Sequence, residues 1–303
     1  MAALVVIGIA LPPLGAVMKP YLTASVVGLL CVAFLRIDIL AFRAYVRRPG
    51  IVLCASAWTS FAIPALIAAG AIALGAESAV PALFLGLMLQ AVAPPIMATP
   101  AFAALMGLDA TLILTTLIVS TAIAPISAPL FVWLLGLDLS LPPLALGLKL
   151  YGILAGSALV GLVLRRIVGL AAIMRHRDEI DGINILLLFV FVSAVMGEFG
   201  VEFIRRPLLV CGLIVLVFAV FTLLLTLTYL VFAAAGRKRA FALGVMTSQR
   251  NMGLMIAGTG GILPDLTWLF FAASQFPIYL SPILLQPFAK WIEKRELTVK
   301  TRA

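Results

Sequence analysis

Residues 93–100 read Ala93-Pro94-Pro95-Ile96-Met97-Ala98-Thr99-Pro100, and residues 247–251 read Thr247-Ser248-Gln249-Arg250-Asn251, with Gly253 close behind. Both stretches lie inside long apolar runs. Three prolines within 94–100 remove three backbone donors and clash with preceding carbonyls, so a regular helix cannot pass through. In 247–251, five consecutive polar residues interrupt apolar sequence, about ten residues from either end of their segment. An arginine at the centre of a bilayer costs at least about 2.5–3.5 kcal/mol. Arg250 is therefore expected to face the protein interior, a counter-charge or water. Unpaired backbone in hydrocarbon costs several kcal/mol, so broken backbone must be buried in protein or line a wet cavity. The two breaks are expected to cross near the membrane centre, beside a polar cavity.

The flanking composition calls for a membrane. Of 303 residues, 64% are hydrophobic and 11% charged, whereas a soluble globular chain carries roughly 25% charged residues. A soluble domain, a disordered chain and a secreted disulfide scaffold are excluded. Cys31, Cys54 and Cys211 lie far apart in apolar runs and read as packed thiols. A spanning helix needs about 20 mostly apolar residues. This criterion gives ten segments: 2–17, 20–36, 50–74, 79–106, 110–135, 144–165, 182–200, 207–234, 238–260 and 266–291. The first is short and carries Pro12 and Pro13, but it lacks a basic leader and reads as a span rather than a signal peptide. The net charge of +9 does not imply nucleic acid, because the basic residues cluster between apolar segments. With both termini cytoplasmic, sixteen basic residues fall inside, among them Arg36, Arg43, Arg47, Arg48 and Arg302. Four fall outside: Lys19, Lys149, Arg205 and Arg206. The asymmetry predicts a multi-pass protein of the inner (cytoplasmic) membrane.

Ten segments divide into two sets of five, 1–138 and 139–303. An odd number per half makes the second half enter the bilayer inverted, as in many secondary transporters. The breaks fall in the fourth segment of each half, and corresponding interruptions of this kind point to a binding site. Half-helix N-termini attract anions and free carbonyls attract cations. The candidate substrate-binding residues are Thr99, Pro100, Ser248, Gln249, Arg250, Asn251 and Gln275. Gln275 and Ser281 are expected to make interhelical hydrogen bonds. Gly152 and Gly156 form a GxxxG read as a close helix contact, and the chain as a monomer or weak homodimer. The basic stretch 165–177 reads as a solvated connector or an amphipathic surface helix, with His176 solvated. Glu198 and Glu202 with Arg205 and Arg206 read as an interfacial charge cluster. There is no nucleotide loop, metal-ligand spacing or nucleophile constellation. The chain therefore reads as neither enzyme nor cofactor protein.

At these residues the chain resembles the bile acid:sodium symporter family. Ser60-Phe61-Ala62-Ile63-Pro64 resembles its third span, and Ala93 to Pro100 its broken fourth. Val119-Ser120-Thr121, Ala124-Pro125 and Pro129 resemble the fifth. Arg250-Asn251-Met252-Gly253-Leu254 resembles the Gln-Asn-x-Gly-Leu core of the broken ninth, and Leu263-Pro264-Asp265 leads into the tenth. The resemblance implies an all-α fold of ten spans in two inverted repeats. Its core domain would be 50–135 with 207–292, and its panel domain 1–48 with 144–200. It further implies organic-anion substrates, alternating access, and two sodium ions behind the crossing. The sequence departs from the pattern at those ion positions. Ser60 stands for a glutamine, Thr99 and Pro100 for a Ser-Asn pair, Met246 for an acidic residue and Arg250 for a glutamine. Residues 241–261 contain no Asp or Glu. The remaining candidate ion-binding positions are Ser60, Thr99, Thr116, Ser120 and Met246, a set depleted of sodium ligands. The expected function is alternating-access transport of a small organic anion with sodium coupling lost or altered, Arg250 supplying the positive charge. An arsenite-type efflux permease is the alternative of related architecture, but it uses a cysteine in the broken fourth span, and none lies between Cys54 and Cys211. A non-transporting, sensor-like relative is the other alternative.

Overall fold

The computed structural model describes residues 2–36 and 49–300. Arg43, Arg47, Arg48 and Arg302, four of the expected orientation signals, lie outside the described residues, as does part of the expected panel 1–48. Among the described residues the regular elements are helices, with no strand. Seven helices are long and apolar enough to cross a bilayer: Pro12–Leu35, Pro49–Ala73, Ala110–Leu134, Pro143–Val168, Arg177–Arg205, Pro207–Val231 and Asp265–Arg295. The chain is an all-α, multi-pass membrane protein.

In chain order, α1 is Ala2–Ala10, α2 Pro12–Met18, α3 Leu22–Leu35, α4 Pro49–Ala57 and α5 Ile63–Ala73. A short α6 (Ala76–Ala79) leads to α7 (Pro81–Val92), α8 (Thr99–Leu105), α9 (Ala110–Leu134) and α10 (Pro143–Val168). The chain continues with α11 (Leu170–Arg175), α12 (Arg177–Arg205), α13 (Pro207–Val231), α14 (Arg237–Ser248), α15 (Met252–Thr259) and α16 (Asp265–Lys300). Several helices open on proline, whose missing N–H costs nothing in a first turn. The Asp109 side chain caps α9 by accepting from the Leu112 N–H at 2.9 Å.

Two sequence expectations are corrected here. The first segment, expected as 2–17, is interrupted at Leu11, which parts α1 from α2. It meets the second, expected as 20–36, in a tight turn, Lys19–Tyr21, that holds Pro20; at the start of a turn proline removes no needed donor. Gly152 and Gly156 do not pack closely: no atom comes within 4 Å of a Cβ placed on either. The close glycine contact is elsewhere, where a Cβ on Gly15 would lie 2.6 Å from the Gly197 Cα. The stretch 165–177, read as a connector or a surface helix, is divided by Gly169 (φ 82°), which separates α10 from α11.

The interior forms two large apolar clusters. One gathers buried residues of α3, α7, α10, α12, α15 and α16, and the other those of α4, α8, α9, α14 and α16. α12 packs along α1, α2 and α3, while α13 packs on α14, and α7 on α16. Between the two clusters run the broken stretches of the chain.

Candidate functional site

Both expected breaks are present. After α7 the chain turns extended at Ala93 (ψ 140°) and resumes as α8 at Thr99. After α14 it is extended at Gln249 (ψ 99°) and resumes as α15 at Met252, capped by the Asn251 Oδ1, which accepts from the Leu254 N–H at 3.1 Å. The two extended pieces meet antiparallel, with Pro95 opposite Arg250. The Ile96 N–H donates to the Gln249 carbonyl at 3.0 Å, and the Asn251 N–H to the Pro94 carbonyl at 2.8 Å. Each break thus supplies the backbone partner the other has lost, as unpaired groups away from water require.

Arg250 lies at the centre of this crossing with 1% of its surface exposed. Its Nη1 donates to the Ala93 carbonyl at 2.9 Å and to the Thr59 carbonyl at 3.2 Å. The second acceptor follows from local sequence. Trp58–Ala62 forms a π-turn in which the Ile63 N–H bonds to the Trp58 carbonyl. The donor one residue further on would be Pro64, which has no N–H. The Thr59 carbonyl is therefore left for Arg250. Among the described residues Arg250 makes no ion pair, and its Nε and Nη2 have no hydrogen-bond partner. The guanidinium is a buried cation held by carbonyl dipoles from two other segments.

Gln249 and Thr99 join it. Thr99 Oγ1 donates to the Ile96 carbonyl at 2.8 Å and lies 3.4 Å from Gln249 Oε1, while Gln249 Nε2 donates to Ser281 Oγ at 2.8 Å. Ser281 thus makes the interhelical bond expected of it. Gln275 does not: its Nε2 stays within α16, on the Phe271 carbonyl at 3.3 Å and Ser274 at 3.4 Å. Ser248 Oγ bonds back to the Val245 carbonyl at 3.0 Å. Of the ion-position candidates, Thr116 bonds to the Leu112 carbonyl of its own helix, Met246 is buried in an apolar cluster, and Ser120 Oγ is buried without a partner. Ser60 is buried in the π-turn. No hydrogen bond among the described residues joins Ser60, Thr116 or Ser120 to Thr99.

A cavity of about 470 Å³ lies beside the crossing, between α3 and α12 on one wall and α8 and α9 on the other. Pro100 and Asn251 line it; Thr99, Ser248, Gln249, Arg250 and Gln275 do not. The expected polar cavity is largely apolar, walled by such residues as Leu29, Leu30, Met97, Ile118 and Phe191. The main chain's polar groups satisfy one another across the crossing instead of facing the cavity. Arg36 and Asp181 line it too and are paired at 2.6 Å. Tyr279 and Asn184 also line it and were not among the sequence candidates. Tyr279 had one sequence signal, its position four residues after Gln275 on the same helical face.

A second cavity, of about 590 Å³, contains Lys19, Glu198, Glu202, Arg206 and Trp268 among its lining. Lys19 and Arg36 flank opposite ends of α3, so the two cavities approach the bundle from opposite ends. Lys19 pairs with Glu198 at 2.5 Å and lies over the Trp268 ring at 5.1 Å. Edge-to-face contacts run from Trp268 to Phe271 (5.8 Å) and from Phe271 to Phe191 (6.1 Å), which lines the first cavity. Arg205 and Arg206 both approach Glu202, at 3.6 and 3.5 Å, completing the charged cluster at this end. No protein-family model matches the chain, and no curated protein matches it.

Proposed function

We propose that this protein is a secondary transporter of a small organic anion, working by alternating access without a coupled sodium ion. The observation that carries the reading is the antiparallel crossing of two broken helices around the buried, uncompensated Arg250. Interrupted helices at corresponding positions of two halves are the form in which transporters build their binding sites. A fixed cation beside a cavity lowers the energy of an anion there, and low surrounding dielectric strengthens the attraction.

The architecture proposed is that of the bile acid:sodium symporters, ten segments in two inverted repeats with core and panel domains. One numerical relation supports the repeat. The separation of the paired residues Pro95 and Arg250, 155 positions, carries 110–134 onto 265–289, within α16. The same shift carries 81–105 onto 236–260, against the observed α14–α15 bounds of 237 and 259. It also carries 49–73 onto 204–228, against 207–231 for α13. The bonds of the crossing obey the same exchange, each break donating one N–H and accepting one. With both termini in the cytoplasm of a cell bounded by its inner membrane, the Arg36 end of the first cavity faces inward. The form described is then inward-facing, closed on the other side by Lys19 and the aromatic contacts.

The test is uptake of labelled organic anions into proteoliposomes of the purified protein, in potassium and in sodium buffers of equal ionic strength. Saturable uptake that is equal in the two buffers is expected. Its absence for every anion tried, in vesicles with correctly folded protein, would refute the transport reading.

A further inference from the structure

Residues 165–177 line neither of the two cavities. α10 ends on Arg165-Arg166-Ile167-Val168, Gly169 turns the backbone at φ 82°, and α11 runs to Arg175, ahead of His176 and Arg177. Ile173 is buried and pins α11 to the bundle, where it packs on the two helices it joins. Ile167, Leu170 and Met174 are instead exposed. Leu170 and Met174, four residues apart, share one face of α11. This apolar strip begins and ends on cations: Arg166 and Arg175 are exposed and make no ion pair among the described residues. Of the carboxylates that follow, Asp181 pairs with Arg36 and Arg177, and Glu179 with His176. Arg36 Nη2 also donates to the Arg177 carbonyl at 3.5 Å, which puts the segment at the Arg36 end of the bundle.

We infer that α11 and the last turn of α10 dock on an acidic phospholipid surface, the leaflet at the Arg36 end. Ile167, Leu170 and Met174 enter the acyl region just below the headgroups, and Arg166 and Arg175 hold the lipid phosphates and acidic headgroups above them. The docking holds whether or not the protein transports. A segment that is apolar on one side and basic beside it belongs at the headgroup–acyl boundary. The arginine fork matches a phosphate through two parallel hydrogen bonds, and an acidic leaflet attracts basic residues held close to it. A nucleic acid would pair the arginines and leave the apolar strip in water. A purely apolar partner would cover the strip and leave the arginines unmatched. An acidic leaflet supplies both along one plane.

The experiment is fluorescence quenching of the full chain in vesicles of equimolar phosphatidylcholine and phosphatidylglycerol, with one or the other lipid brominated on its acyl chains. In a cysteine-free background, Met174→Cys carries a small fluorophore. Ile126→Cys is the control, since Ile126 is as exposed as Met174 (69% against 63%) but lies within 107–148, which contains no Lys or Arg. Both brominated lipids should quench at Met174→Cys. Phosphatidylglycerol should do so with an apparent association constant at least about fivefold above phosphatidylcholine, the effect of one basic residue near an acidic leaflet. At Ile126→Cys the ratio should be near one. Arg166→Gln with Arg175→Gln should bring the Met174→Cys ratio to near one, and Arg166→Lys with Arg175→Lys should keep most of it. The glutamine variant should melt in detergent at the wild-type temperature, because neither arginine has an ion pair to lose. Inorganic phosphate added at constant ionic strength should leave the ratio unchanged. Absence of quenching at Met174→Cys would overturn the docking, as would equal ratios at the two positions. A preference that survives loss of both arginines, or a lower melting temperature without them, would overturn their role in holding lipid. Loss of the preference in phosphate would assign the arginines to a soluble anion and overturn the lipid as occupant.

Discussion

A single arginine carries most of the electrostatics at the crossing. Taking a guanidinium out of water costs several kcal/mol even after relaxation, and hydrogen bonds to charged groups return about 1.5–3 kcal/mol each. The carbonyls of Ala93 and Thr59 are two such bonds, and no carboxylate adds a third. Because the guanidinium does not line the cavity, its influence on the proposed anion would act through charge rather than contact. Arg250→Lys should therefore retain most of the anion affinity, and Arg250→Gln should lose it, by roughly 1.5–3 kcal/mol if the field is as strong as a charged hydrogen bond. Titration of both variants with one anion checks this. Equal losses in the two would mean that the planar fork, not the charge, matters. The sequence located Arg250 and its interior placement, because polarity inside an apolar run is a one-dimensional signal. It did not disclose Thr59 as a partner: that contact needs the π-turn ahead of Pro64, a backbone event with no pattern of its own in the side chains.

At the level of elements, the breaks were legible and the helix contacts were not. Clustered prolines and a polar run stop a helix wherever the chain goes, so 93–98 and 249–251 could be read without the fold. Which glycines meet a neighbour depends on the direction a helix face takes in three dimensions. The GxxxG at Gly152 and Gly156 has the pattern but faces open space, while Gly15 and Gly197, in different helices and with no shared motif, bring two backbones together. The consequence is a pair of opposite effects. Gly197→Ala puts a Cβ 2.7 Å from the Gly15 Cα and 3.2 Å from the Pro12 carbonyl. These are backbone atoms that cannot turn aside, and overpacking of this kind costs about 1–3 kcal/mol. Gly152→Ala meets nothing and replaces a poor helix former, for a gain of up to about 1 kcal/mol. Thermal unfolding in one detergent should rank Gly152→Ala at or above the wild type and Gly197→Ala below it. The reverse order would mean that α2 and α12 do not pack as described.

At the scale of the whole molecule, two cavities at opposite ends of one bundle are separated by Trp268, Phe271 and Phe191 and by the Lys19–Glu198 pair. Lys19 and Glu198 belong to α2–α3 and α12, whereas Trp268 and Phe271 belong to α16. Under the proposed alternating access, α16 and its neighbours would slide past α12, parting Trp268 from Lys19 and Phe271 from Phe191. None of these contacts contains a site for a cation, and the crossing already holds a permanent one in Arg250. Together these features yield the last prediction. In a cysteine-free background, Asn184→Cys reports on the first cavity and Ala16→Cys on the second, each labelled by a membrane-impermeant thiol reagent added from one side. Asn184→Cys should label from the Arg36 side and Ala16→Cys from the Lys19 side. Adding Trp268→Ala, which removes the cation–π contact worth about 0.5–2 kcal/mol, should lower labelling at Asn184→Cys as the population moves toward the other state. Replacing potassium by sodium at constant ionic strength and membrane potential should change neither rate, because an ion can shift a conformational equilibrium only by its difference in affinity for the two states. A steep sodium dependence of either labelling rate, or of uptake, would show that a cation site exists in spite of Arg250 and would end the sodium-independent mechanism.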